Sequence, residues 1–173
     1  MFVHNALVGC NLRDKIKIAA SGKVASAFGI ARNLAIGADW CNAARGFMMA
    51  VGCIQAQRCH TNTCPVGVAT QDPARQRALH VGDKSARAFH FHRKTMETLS
   101  EIVAAVGLEH TDRFRPWHVC LRTNRTTVLS YDEAFHFMAP GALLKGCDHA
   151  QFCKHWAAAT ADSFQPAAAP PIL

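Results

Sequence analysis

The first part of the chain alternates between extended segments and segments with helical periodicity. Lys15 to Ala20 alternates polar and apolar residues before a short apolar end, which predicts a β-strand entering a tight turn at Ser21-Gly22-Lys23. From Val24 to Ile36 apolar residues recur at helical spacing, and Gly37 follows. This pattern predicts a helix that ends at a glycine.

A second strand and helix are predicted directly after the first pair. Ala38 to Asn42 has the composition of a short strand, and the small residues from Ala43 to Val51 favour a helix. The order strand, glycine turn, helix, strand, helix is typical of parallel α/β architecture.

A loop and a long helix are predicted next. Residues 53–73 contain three cysteines and two prolines without a clear period, so we expect a loop wrapped around a bound group. Asp83 is predicted to cap a helix that reaches Val106 and is closed by Gly107. Its apolar side is predicted to consist of Ala86, Phe89, Met96, Leu99, Val103 and Val106.

Composition and charge narrow the class of protein. The 173 residues are 50% hydrophobic and 18% charged, which is typical of a globular domain. The net charge is +7, but the Lys and Arg residues never form a run, and no zinc-finger or aromatic RNA-binding signature is present. We therefore expect no nucleic-acid binding. Because no apolar run of about eighteen residues and no export signal is found, we expect a soluble, cytoplasmic protein without a membrane segment.

Three closely spaced cysteines form the strongest chemical pattern. Cys53, Cys59 and Cys64 lie within twelve residues, and Pro65 follows the last. Thiolates bind soft metals and iron–sulfur clusters, and this spacing is that of neither a zinc hairpin nor a thioredoxin motif. With His60 the three cysteines would also complete a zinc site, so zinc stays an alternative metal. The other cysteines are interpreted as packing residues: Cys10, Cys41, Cys120, Cys147 and Cys153.

Two small-residue turns are candidates for phosphate binding. Ser21-Gly22-Lys23 follows the first predicted strand, and Ala43-Ala44-Arg45-Gly46 follows the second. Backbone N–H groups at the start of a helix bind anions, and (β/α)8 barrels build a phosphate site from the loops after strands seven and eight. Two ordinary βα turns would explain the same residues equally well.

With these motifs in view, the sequence resembles the FMN-binding domain of glutamate synthases, and most closely the shorter members called the FMN-binding glutamate synthase family. The resemblance rests on Phe2 to Gly9, Lys17-Ile18, Ser21 to Lys23, Gly37 to Gly46, Gly52 to Gln55 and Cys59 to Pro73, and it continues in shorter matches at Asp83-Lys84, His90 to His92, Gly141 to Leu144 and Ala161 to Phe164.

The resemblance implies a TIM barrel with FMN at the carboxyl ends of its strands. It further implies a 3Fe-4S cluster held by Cys53, Cys59 and Cys64. The flavin phosphate would be held at Ser21, Gly22, Lys23, Ala44 and Arg45. The implied reaction is the reductive formation of L-glutamate from 2-oxoglutarate and ammonia derived from glutamine, with ferredoxin or an NADPH-linked subunit as electron donor.

The length of the chain limits this interpretation. A TIM barrel needs about 250 residues, and the resemblance begins just before strand seven, so we expect an incomplete barrel that is inactive alone. We expect the last two βα units and the cluster loop in residues 1–75, a helical extension in residues 76–156, and an Ala/Pro-rich tail in residues 157–173. The alternative function is a non-catalytic iron–sulfur or zinc-binding electron-transfer module.

Overall fold

The computed structural model describes residues 1–147 and 149–166. Contacts between Cα atoms divide the chain into two compact units, one formed by residues 19–119 and one formed by residues 1–18 together with residues from 120 onward. The predicted tail falls partly on residues 167–173, which lie outside the described residues.

The helices and strands follow one another along the chain with short connections, apart from the long cysteine loop. In order they are α1 (Phe2–Gly9), β1 (Ala19–Ser21), α2 (Ala27–Ala35), β2 (Trp40–Asn42), α3 (Ala44–Ala50), α4 (Pro73–Gln76), α5 (Val81–Ala105), 3-10 turns at Thr111–Arg113 and Pro116–His118, β3 (Cys120–Arg122), β4 (Val128–Ser130), α6 (Tyr131–Ala134), α7 (Ala142–Lys145) and α8 (Ala150–Ala158).

In the unit of residues 19–119, strands β1 and β2 pair in parallel, as the order of elements predicted. Ala19 lies opposite Trp40, and Ser21 lies opposite Asn42. The strand predicted from Lys15 begins only at Ala19. The prediction of a strand is therefore wrong for residues 15–18, because β2 has only three residues with which β1 can pair.

Helix α2 confirms the predicted helix and its glycine stop. The Ser26 hydroxyl accepts a hydrogen bond from the Gly29 amide at 3.2 Å and caps the start of the helix. At the other end Gly37 has a φ of +106°, and its amide donates to the Leu34 carbonyl, as in a Schellman motif. The buried residues Ala27, Ala31 and Ala35 let α2 lie close to α5.

Helix α5 begins earlier than the sequence predicted, and Asp83 is not its cap. The Asp83 amide donates to Nδ1 of His80 at 3.2 Å, so His80 is the N-cap. The Asp83 carboxylate instead lies in the first turn, where it pairs with Lys84 at 3.2 Å. The prediction failed because a histidine ring can accept the same amide hydrogen bond as a carboxylate.

The predicted apolar side of α5 is only partly right. Leu99 and Val103 are buried, but Phe89 is 59% exposed and Ala86 and Met96 are also exposed. Phe91, which is half-buried, also faces the neighbouring helices, and its ring meets that of Phe47 in α3 edge-on at 5.0 Å. Apolar residues occupy two rows of this helix, and the contacts with α2 and α3 select one of them.

The second unit has its own small core and contains elements that the sequence did not predict. Met138, Leu143 and Phe152 are buried together, and Ala6 of α1 and Cys10, which follows α1, pack against them. The side chain of Asn5, only 2% exposed, donates to the His136 carbonyl at 2.8 Å and accepts from the Met138 amide at 3.3 Å. In the same unit, β3 and β4 form an antiparallel hairpin.

The prediction that Cys147 and Cys153 are packing residues is only partly right, because Cys147 packs against the core but the two residues are also bonded to each other. Cys147 and Cys153 form a disulfide bond, with their Cα atoms 5.2 Å apart. Their spacing along the chain gave no indication of a disulfide. The two sulfurs come together only through the folding of the chain at the start of α8.

None of the helices in the described part of the chain is long and apolar enough to cross a membrane.

Candidate cofactor site

The two small-residue turns lie at the same edge of the β1–β2 sheet. Because the strands are parallel and Ser21 lies opposite Asn42, the chain leaves both strands in the same direction. The turn after β1 and the start of α3 after β2 are therefore neighbours, as the (β/α)8 interpretation requires of adjacent strands.

The turn at Gly22 and Lys23 needs left-handed backbone at two successive residues. Gly22 has a φ of +95° and Lys23 a φ of +56°. A side chain at Gly22 would meet no atom within 4 Å, so the backbone angle and not the available space favours glycine there. The turn leaves the Gly22 backbone open to an approaching ligand.

The two positively charged side chains beside these turns are accessible to a ligand. Lys23 and Arg45 are both exposed, and within the described part of the chain neither forms an ion pair. Ala44 is the first residue of α3, and its N-cap residue Ala43 offers no side-chain acceptor to the first turn. Such unpaired amides and cations suit an anionic ligand such as a phosphate.

The end of α3 fixes the first cysteine of the loop. The Gly52 amide donates to the Met49 carbonyl and the Cys53 amide to the Met48 carbonyl, at 2.9 and 3.0 Å. With Gly52 at a φ of +102°, this is a Schellman motif that ends the helix and holds the backbone of Cys53. The Cys53 sulfur also accepts a hydrogen bond from the Gln55 amide at 3.5 Å.

The three predicted ligands line one small cavity. Cys53, Cys59 and Cys64 all border it, although Cys53 is half-buried, Cys59 exposed and Cys64 buried. Among residues 1–147 and 149–166, no three His, Cys, Asp or Glu side chains lie close enough together to hold a metal ion. The structure thus brings the three thiols to a common cavity without closing them into a metal site.

Cys64 has the most distinctive surroundings of the three cysteines. Its pKa is lowered from the ordinary thiol value, chiefly because the backbone N–H groups of Ala69 and Val66 donate to the sulfur. The amides of Val68 and Gly67 add smaller contributions, while burial acts in the opposite direction. Backbone N–H groups directed at a sulfur stabilise the thiolate, which is the form that binds metals.

Asn62 and Thr70 hold the two ends of this segment together. The Thr70 hydroxyl, which is buried, donates to the Asn62 carbonyl at 2.8 Å. The Gln71 amide donates to the Asn62 side-chain oxygen at 2.6 Å, and Asn62 itself has a φ of +60°. These bonds close a ring of backbone around Cys64.

Gly67 is required where the same segment passes close to α4. It has a φ of +76°, and a Cβ there would lie 2.6 Å from the Arg75 carbonyl oxygen and 3.3 Å from Cα of Gln76. The Arg75 guanidinium in turn donates to the Thr63 carbonyl at 3.3 Å. Contacts on both sides therefore fix the backbone on which Cys64 lies.

His60 does not join the three cysteines. It is exposed, and it borders an adjoining open hollow with Cys59 and Asn62, not the cavity that the three thiols share. The described structure therefore does not assemble the zinc site of three cysteines and one histidine that the sequence left open.

Sequence reasoning missed the residues that shape the loop. Asn62, Gly67, Thr70 and Arg75 set the path of the backbone around Cys64. Gly67 had a usable signal, since glycine in a loop without period often marks left-handed backbone. The hydrogen bonds of Asn62 and Arg75 span nine and twelve residues, so local sequence did not reveal them.

Known proteins match most of the chain. A family model described as a conserved region in glutamate synthase matches residues 1–109. The glutamate synthase large subunit-like protein YerD of Bacillus subtilis is 44% identical over 125 residues, which is 72% of this chain and 24% of that protein.

More distant relatives are also named as glutamate synthases. Ferredoxin-dependent glutamate synthase 2 of Synechocystis is 34% identical over 64% of this chain and 7% of that protein. The glutamate synthase (NADPH) large chain of Azospirillum brasilense is 32% identical over 61% of this chain and 7% of that protein. The chain therefore spans a quarter or less of the length of these relatives.

Proposed function

Since the chain belongs to the glutamate synthase family, we propose that it supplies the last two βα units and the iron–sulfur loop of that family's FMN-binding TIM barrel. In this proposal Cys53, Cys59 and Cys64 hold a 3Fe-4S cluster. The turns after β1 and β2 hold the flavin phosphate.

The observation that supports the cluster best is the environment of Cys64. The backbone N–H groups of Ala69 and Val66 lower the pKa of its thiol, which favours the thiolate, and all three thiols border the same cavity. Hydrogen bonds to sulfur are also among the features that tune iron–sulfur clusters. The donor set consists of soft sulfur ligands, which fits an iron–sulfur cluster better than a hard cation.

The phosphate site is supported by the placement of the two turns. Gly22 leaves its backbone accessible, and the exposed side chains of Lys23 and Arg45 follow neighbouring parallel strands. Ser21 and Ala44 would offer hydroxyl and backbone N–H groups at the same edge. Two cations and several amides suit a phosphate monoester.

The reaction is proposed from the family. When bound, FMN and the cluster would supply the electrons that convert 2-oxoglutarate and glutamine-derived ammonia to L-glutamate. The role of this chain's residues is to bind, orient and partly shield these groups. Relatives are named for ferredoxin, NADH or NADPH, so the electron donor would be ferredoxin or a nicotinamide-linked partner.

Anaerobic reconstitution tests the proposed site. The purified chain would be incubated with ferrous iron, sulfide and FMN, separated from unbound reagents, and assayed for iron, sulfide and flavin. We expect an electron paramagnetic resonance signal of a three-iron cluster and retained flavin. Cys64→Ala should lose the cluster and Lys23→Ala should weaken flavin binding, whereas Cys120→Ala, an exposed free thiol, should change neither.

Other outcomes of the same experiment would distinguish the alternative function from the proposed one. A cluster or zinc ion bound through the three cysteines with no flavin retained would favour a non-catalytic metal-binding electron-transfer module. Reconstitution that is unchanged by Cys64→Ala would contradict the assignment of the ligands.

A further inference from the structure

A second pair of cysteines lies far from the proposed cluster loop in sequence. Cys147 and Cys153 form a disulfide in the unit of residues 1–18 and 120 onward. Both lie outside residues 1–109, which the family model matches. The pair therefore belongs to a part of the chain to which the proposed function assigns no role.

The disulfide joins the segment before α8 to the first turns of that helix. Cys147 lies three residues ahead of Ala150, where α8 begins, and Cys153 is the fourth residue of the helix. The bond thus closes a short loop across the start of α8. A cross-link of this kind restricts the conformations that the segment can adopt when α8 is detached.

Helix α8 docks on α1 through aromatic contacts beside this bond. Phe152, adjacent to Cys153, is buried with Met138 and Leu143, and Cys147 packs against the same cluster. The Phe152 ring stacks on Phe2 of α1 with the centroids 4.6 Å apart, and the Phe2 ring also meets His155 of α8 edge-on with the centroids 5.9 Å apart. The two sulfurs therefore lie at the point where α8 is anchored.

Helix α8 has little stability of its own. It has nine residues and its N-cap residue His149 makes no side-chain capping hydrogen bond. Isolated helices of this length are marginal in water, so α8 depends on tertiary contacts. Within the described part of the chain, Nδ1 of His149 is buried without a hydrogen-bond partner, which adds no stability to the docked state.

We propose that Cys147 and Cys153 form a reversible dithiol–disulfide switch that controls the docking of α8 on α1. In the forward step a low-molecular-weight disulfide, such as glutathione disulfide, is reduced to two thiols. The two cysteine thiols are oxidised to one S–S bond through a mixed disulfide, and two protons pass to the released thiolates. A low-molecular-weight dithiol reverses the step.

The exposure of the pair supports exchange with such reagents. Both residues are half-buried, which leaves the pair more open to a small thiol than a fully buried structural disulfide would be. Docking of α8 and closure of the disulfide favour each other, because each brings residue 153 to the same place. Reduction is therefore expected to loosen α8.

The redox state of the pair can be read directly. Cleavage by trypsin after Lys145 and Lys154 releases residues 146–154, a peptide that contains both cysteines. The intact chain would be equilibrated in glutathione buffers of increasing oxidised fraction, quenched with acid, alkylated and digested. We expect the peptide to change from the doubly alkylated form to the unalkylated disulfide form within this series. A peptide that stays in one form in every buffer would overturn the proposal.

Docking is measured by native-state proteolysis. Lys154 lies within α8, so we expect trypsin to cut after it about fivefold faster or more in the reduced chain than in the oxidised chain, as local unfolding requires. A chain with both Cys147→Ser and Cys153→Ser should be cut at the fast rate in either buffer, and Cys120→Ser should behave as the unchanged chain. Equal rates in the oxidised and reduced unchanged chain would refute the switch, and this comparison requires no variant.

Discussion

At the scale of single residues, the backbone around Cys64 depends on a glycine that two constraints fix. Gly67 has left-handed backbone and no room for a side chain beside the Arg75 carbonyl. Gly107 provides a matched comparison, because it has the same φ of +76°, but a Cβ added there would meet no atom within 4 Å. The two positions therefore separate the cost of the backbone angle from the cost of the close contact.

We expect Gly107→Ala to lower the free energy of unfolding by about 1–2 kcal/mol, the usual cost of left-handed backbone for an L-residue. Gly67→Ala should cost about 1–3 kcal/mol more, because the new Cβ must displace backbone. Urea denaturation followed by circular dichroism measures both. Equal losses in the two variants would show that the close approach at Gly67 relaxes without cost.

At the scale of elements, the packing of α5 depends on which of its apolar rows meets the neighbouring helices. Leu99 is 7% exposed and lies in the buried row, whereas Phe89 is 59% exposed, with the Arg93 guanidinium 5.5 Å from its ring. Hydrophobic periodicity alone placed both residues on one side. Contacts with α2 and α3 distinguish them.

Leu99→Ala should therefore destabilise the chain by about 2–5 kcal/mol, as expected for a core truncation that leaves a cavity. Phe89→Ala removes a larger side chain, yet it should cost no more than about 1 kcal/mol, since most of its surface is already in contact with water. Thermal or urea unfolding of the two variants shows which apolar row of α5 is buried. A loss at Phe89 as large as that at Leu99 would mean that both rows are buried in solution.

At the scale of the whole molecule, the described structure contains two parallel strands, whereas the (β/α)8 barrel of the proposed function has eight. The β1–β2 pair is a two-stranded parallel sheet, and parallel sheets are ordinarily covered on both faces by further elements. The large exposed side chains of Phe28 and Trp40 in this unit agree with a surface that other βα units would cover.

We therefore expect the isolated chain to produce no glutamate from 2-oxoglutarate and glutamine, even when it retains flavin and iron. The assay would supply a chemical reductant, so that a missing electron donor cannot explain the result. The glutamate synthase (NADPH) large chain of Azospirillum brasilense, assayed in parallel, tests the assay itself. Formation of glutamate by this chain at a rate above that of the Cys64→Ala variant would refute the expectation.

Local patterns predicted much of the chain up to the cysteine loop. The order of β1, α2, β2 and α3 and the glycine stop at Gly37 followed from short-range periodicity and turn residues, because these signals act over a few positions. Predictions failed where two local signals competed, as at Asp83. They also missed short elements with weak periodicity, such as α1 and the β3–β4 hairpin.

By itself, the sequence determined the parallel α/β order, the family and the three cysteines as candidate ligands. Only the tertiary structure decided which row of α5 is buried, which amides reach the Cys64 sulfur, and that Cys147 pairs with Cys153. The physical reason is the distance along the sequence over which each kind of interaction acts. Periodicity and spacing describe what neighbouring residues favour, whereas burial, sulfur hydrogen bonds and disulfide pairing depend on where the folded backbone brings separate residues together.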